Sequence, residues 1–113
     1  MELEDRLVGF SARCVKVCAA LPVKAVGSTS FADQLFRSST SIAANYAEAC
    51  EAESAKDFIH KLKIAMKELS ETRIWLRLIG ESGYLDKAKL ADLVNDDLVI
   101  RCHYGMYGIL FMH

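Results

Sequence analysis

Proline occurs once, at Pro22, and glycine only six times. With so few breakers the chain is neither loop-rich nor collagen-like, and long uninterrupted helices are open to it. Neither sign of charge is in excess. Fourteen Lys and Arg stand against fifteen Asp and Glu, a formal net charge of −1. A global polyanion binder is thereby excluded, and any nucleic-acid surface has to be a local patch. No CxxC pair joins the four cysteines Cys14, Cys18, Cys50 and Cys102. Cys14 and Cys18 lie one helical turn apart on or beside an apolar face. All four read as small buried hydrophobes in a reducing compartment. Glu2, Glu4 and Asp5 occupy the place where a signal peptide has its basic region, so a cytoplasmic protein is expected. The most apolar segment, Leu98 to Met112, carries Arg101 and His103 and is too short to span a bilayer, so no membrane partner is expected. Internal repeats, low-complexity tracts, Gly-rich phosphate loops, GxSxG and HExxH are all missing, and catalysis has no positive support.

What is present is hydrophobicity, 52% of 113 residues. Such a chain folds, and its length suits one domain, residues 1–113, with one core. The organising stretch is Asp57 to Ile79. Phe58, Leu62, Ala65, Leu69, Thr72, Leu76 and Ile79 recur at alternating spacings of four and three, the seam of a packed helix. Ser54 suits the N-cap, Asp57 suits the positive helix end, and Gly83 suits a left-handed C-terminal residue. A helix from Ser54 to Ser82 is roughly 43 Å long, which points to a bundle.

The other helices follow the same logic. Leu3, Leu7, Phe10, Cys14, Val17 and Leu21 predict a first helix from about Glu2 to Leu21, stopped by Pro22. Val23 to Ser30 reads as the longest loop, with Thr29 or Ser30 as the next cap. The second helix is expected from Phe31 to Cys50 on a seam of Phe31, Leu35, Ser38, Ile42, Asn45 and Ala49. Its later half is small and polar, so a neighbour can come close. Asn45 and Glu48 lie at that contact, and buried polar groups need partners. Bonds across to another helix are expected, to backbone, Tyr84, Arg37 or Arg73. Asp86 caps a fourth helix with Leu90, Val94, Leu98 and Cys102 at every fourth position. Leu93, Ile100, Tyr104, Tyr107 and Phe111 lie on another face. The last half is apolar nearly all round, which predicts burial by another subunit. The architecture expected is all-α, an antiparallel up-down four-helix bundle. Trp75, Tyr104, Tyr107 and Phe111 are candidates for an oligomer interface.

Two chemical patterns remain. Asp57 and His60 have the spacing used by carboxylate-bridged di-metal bundles, but those sites need two such motifs, and Glu48 is the only other inward acid. Cys14 and Cys18 have no histidine at a spacing that completes a site. No metal and no cofactor is expected. Lys56, His60, Lys63 and Lys67 form a stripe beside the core seam of the third helix. A solvated helix face accounts for such a stripe; so does phosphate contact, multiplied if several subunits display it in a ring. Glu68 and Glu71 nearby dilute it.

The motifs Arg37-Ser-Ser-Thr-Ser-Ile-Ala-Ala-Asn45, Ala47-Glu-Ala49, Asp57-Phe-Ile-His-Lys61, Ile64-Ala-Met-Lys-Glu68, Glu71-Thr72, Trp75-Leu76 and Gly83-Tyr-Leu85 together carry a resemblance. The chain resembles the small four-helix-bundle proteins related to the 23S ribosomal-RNA intervening-sequence protein. The resemblance implies an up-down bundle and a homopentamer. It implies a non-catalytic role engaging ribosomal RNA or another nucleic acid. A related branch, the accessory protein of diversity-generating retroelements, implies the alternative of an adaptor with a protein partner. A metal-binding bundle or an enzyme is a further alternative. Within the family Arg37, Asn45 and Glu48 fall in the signature, which implies a structural polar role. The turn after the second helix departs from the pattern. Relatives place glycine and several basic residues there; this chain has Ala49, Cys50, Glu51, Ala52, Glu53 and Ala55, with Lys56 the one base.

Overall fold

A computed structural model describes the backbone of residues 3–112 and the side chains of residues 3–101. It contains four helices: α1 (Leu3–Ala20), α2 (Ser28–Cys50), α3 (Ala55–Glu81) and α4 (Lys87–Met112). Residue pairings fix the directions. Ser11 meets Ser39 while Cys18 meets Ala32, so α1 and α2 run antiparallel. Thr72 meets Ser38 while Lys61 meets Glu48, so α2 and α3 do the same. Lys87 pairs with Glu81, and Arg73 faces Asp97 further along α4. Each helix packs on its sequence neighbour, and α1 closes the bundle against α4. The result is a rod of 48 × 21 × 21 Å.

The α3 seam forms as its spacing dictates. Leu62, Ala65, Leu69, Thr72, Leu76 and Ile79 are all buried, with Phe58 half-buried at the end. Each buried leucine contributes about 1.5–3 kcal/mol. Ser54 caps α3 by accepting the Asp57 amide at 3.1 Å. At the other end Gly83 adopts φ 78°, Tyr84 N–H reaches the Ile79 carbonyl at 3.2 Å and Gly83 N–H reaches Gly80 at 3.1 Å. That paired closure of a helix end needs a left-handed residue, which glycine supplies without steric cost. Asp86 caps α4 through the Ala88 amide at 3.0 Å.

Small residues on α2 serve two neighbours at once. Ser11 donates to the Ser39 carbonyl at 2.6 Å, and Thr72 donates to Ser38 Oγ at 2.8 Å. The hydroxyls are buried but paired, so the helices approach closely with no orphaned polar group at these positions.

Three expectations need correcting. The α2 helix begins at Ser28, earlier than Phe31, and its cap is Gly27 at φ 79° with no side-chain hydrogen bond, in place of Thr29 or Ser30. Polar Ser28 is itself buried, which a hydrophobic pattern does not reveal. Cys50 is exposed, whereas Cys14 is buried. The register of α4 is rotated by one position: Leu90, Leu93, Asp97 and Ile100 face the core, while Leu98 is 42% exposed and Val94 half-buried. Cys102, Tyr104, Tyr107 and Phe111 lie outside the described side chains.

Candidate nucleic-acid interface

The basic stripe of α3 survives intact on the surface. Lys56, His60, Lys63 and Lys67 are all exposed. His60, Lys63 and Lys67 line an open groove of about 480 Å³ with Ile64, Met66 and Ser70, and Arg101 of α4 forms its far wall. His60 also lines a second hollow with Ser54, Lys56 and Asp57, so the two hollows share one wall along α3. Arg101 escaped sequence reading because its side is set by the α4 register. Once Asp97 and Ile100 face the core, Arg101 must flank it, beside α3.

Ion pairing separates this groove from the rest of the basic surface. Lys61 donates to Glu48 at 3.0 Å across the α2–α3 seam. Arg37 grips Glu71 closely, reaches Glu68 at 3.2 Å and touches Gln34 at 3.3 Å. The hydrogen bond that Arg37 donates to Glu71, above all, holds the guanidinium above its usual range. The two glutamates expected to dilute the stripe therefore share one α2 cation, Arg37, which offsets one of their two charges. Among the described residues Lys56, His60, Lys63, Lys67 and Arg101 enter no ion pair. Unpaired cations beside one groove are what a phosphate chain requires.

The signature polar residues act within the bundle. Asn45 is half-buried, and its amide donates to the Ser41 carbonyl at 2.8 Å, one turn back on α2 rather than across to a neighbour. Glu48 and Arg37 do bridge α2 to α3, at exposed positions. Trp75 is half-buried against its own chain. Its ring meets Phe31 edge-on at 6.0 Å, and Phe31 meets Tyr84 at 5.2 Å. This aromatic cluster fastens the start of α2 to the end of α3.

Asp97 is the polar residue that sequence reading missed. It is fully buried, and neither carboxyl oxygen has a hydrogen-bond partner among the described residues. Burial pushes its pKa up to about 7, against the pull of Arg73 and then Arg101. Arg73 Nε is likewise buried without a partner. Desolvation drives the neighbouring Cys14 thiol up to about 12, with Cys18 and Asp97 adding to it. Asp57 and His60 gain no further ligand: among the described residues, no three of His, Cys, Asp and Glu gather closely enough to hold a metal ion. Among those residues too, no helix is long and apolar enough to cross a membrane.

The fold defines a helical bundle of a known class. Residues 4–99 match the family described as 23S rRNA-intervening sequence protein. The chain belongs to that family. A solved structure of a protein of unknown function from the S23 ribosomal protein family of Bacteroides thetaiotaomicron is 33% identical, with a TM-score of 0.85. The alignment covers 95% of this chain and 98% of that one. A search of curated proteins finds no match.

Proposed function

We propose that this chain is a non-catalytic, oligomeric binding protein that holds ribosomal RNA or another nucleic acid by its backbone. The observation that carries this reading is the groove in which His60, Lys63, Lys67 and Arg101 converge without ion-pair partners. Five of the seven lining side chains, His60, Lys63, Lys67, Ser70 and Arg101, are suited to phosphate contact, and Ile64 and Met66 add apolar surface for sugar or base. Lys56 extends the track by one turn beyond His60. A single subunit offers few cations, so affinity depends on several copies presenting the groove together. A homopentamer does this, and its number five comes from the family resemblance. Exposed Leu98 and Val99 on α4 and Ile74 and Leu78 on α3 supply apolar surface for contacts between copies.

The test is retention on immobilised RNA with a salt gradient, alongside light scattering. The proposal expects an oligomer whose retention falls steeply with salt, because bound phosphates release counterions. A monomer that flows through at low salt overturns it.

The adaptor reading has one specific support. A groove of about 380 Å³ runs between α3 and α4, with Leu76, Leu90, Val94 and Leu98 on its walls. It lies beside exposed Ile74 and Leu78 and suits an apolar helix of a protein partner. A protein that co-purifies after nuclease treatment and is lost on Val94→Lys substitution favours this second reading over the first.

A further inference from the structure

Among the described residues one acidic or basic side chain is fully buried, Asp97, and it lies one helical turn from Arg101 of the basic groove. Asp97 faces inward from α4 with both carboxyl oxygens unpartnered. From α1 it faces Cys14, while Arg13 one position earlier is turned to Asp96, 3.9 Å away. From α3 it faces Arg73, whose Nε is buried and unpartnered. On its own helix Asp96 and Arg101 complete the set of charges. Among the described residues α2 does not reach α4 and adds nothing. Unpaired buried carboxyls are costly when ionised, so this one is poised to hold a proton.

Arg101 connects the two sites. It lies one helical turn beyond Asp97 and favours that carboxylate electrostatically. The same guanidinium forms a wall of the groove that holds His60, Lys63 and Lys67. One cation therefore serves two anions, the buried carboxylate and any phosphate in the groove.

We infer that polyanion binding in this groove is coupled to proton uptake at Asp97. A phosphate on Arg101 engages its charge and sets a negative charge of its own within about a turn of Asp97. Both effects disfavour the carboxylate, so the carboxyl takes up a proton as the ligand binds. Linkage makes the effect reciprocal: protonating Asp97 strengthens polyanion binding by the same factor. The burial that lifts the carboxyl to about 7 places this exchange near neutrality. Were binding to displace that titration by one pH unit, affinity would differ about tenfold between the two protonation states. The inference rests on the nucleic-acid reading of the groove and adds its regulation by pH.

Calorimetric titration with a short single-stranded RNA, near pH 7 and low salt, tests it. Two buffers of different ionisation enthalpy report the protons taken up. The assembled wild-type protein is compared with Asp97→Asn and His60→Gln, since a histidine in the groove can also take up a proton beside an anion. The expected result is net uptake by wild type, most of it lost in Asp97→Asn and, per RNA bound, retained in His60→Gln even though that variant binds more weakly. Asp97→Asn should also flatten the fall in affinity between about pH 6 and pH 8. Binding without proton uptake, or with uptake undiminished in Asp97→Asn, overturns the coupling and leaves the groove reading standing. Failure of the wild type to bind RNA at all overturns both.

Discussion

Asp97→Asn should make the protein more stable at neutral and alkaline pH. The unfolded chain releases the Asp97 proton near 3.8, whereas the folded chain holds it to about 7. Between those values the folded state binds more protons than the unfolded state. Stability attributable to Asp97 therefore falls as pH rises from about 4 to about 7, and is level above that. Each tenfold in the ionisation equilibrium is worth about 1.4 kcal/mol, which sets an upper bound of roughly 4 kcal/mol. The asparagine amide brings its own buried polar atoms, at a cost of about 1–3 kcal/mol if they stay unpaired. A net gain of at most about 1–3 kcal/mol at pH 8 remains, shrinking and reversing towards pH 4. Urea unfolding at several pH values measures it, and subtracting the two profiles removes the carboxylates common to both proteins. Parallel profiles for variant and wild type would refute the reasoning, because they would mean that Asp97 titrates alike in both states.

Gly83→Ala should cost about 1 kcal/mol in thermal unfolding, since φ is 78° while open space surrounds the missing Cβ, so strain acts alone. Exposed Cys50 should react with a thiol reagent in the native protein, while Cys14, buried and held at about 12, should react only on unfolding. Mass spectrometry of the labelled peptides distinguishes them.

The helices of this protein were legible where apolar residues kept a single period. All six inner positions of α3 from Leu62 to Ile79 are buried as their spacing requires. The first two seams were equally readable, because Leu7, Phe10 and Cys14, and then Leu35, Ser38 and Ile42, leave no competing face. α4 was not, for two physical reasons. Its second half is apolar on most sides, so periodicity selects no unique face. An aspartate also occupies one of its core positions, which inverts the hydrophobic rule there. With Leu98 taken for a core residue, Arg101 was assigned to no site, and the far wall of the groove was lost with it. The stripe from Lys56 to Lys67 was visible in sequence. The pairing of Glu68 and Glu71 with Arg37 was not, because it joins residues 31 and 34 positions apart through side-chain reach.

The same reach explains Asn45. A signature asparagine beside small residues suggested a bridge between helices, yet the carbonyl of Ser41 lies one turn back and satisfies its amide locally.

The central claim is that the unpaired cations of α3 and Arg101 bind a nucleic-acid backbone. Fluorescence anisotropy of a labelled RNA, titrated with wild type and with Lys63→Glu/Arg101→Glu at several salt concentrations, tests it most directly. Both residues are partly or fully exposed and make no ion pair among the described residues. Because Arg101→Glu also removes a cation that favours the Asp97 carboxylate, helicity and assembly of the variant are measured beside its binding. The prediction is salt-sensitive binding by wild type, weakened at least tenfold in the variant, with a shallower dependence on salt. Equal binding by the two proteins, with helicity and assembly unchanged, would contradict it.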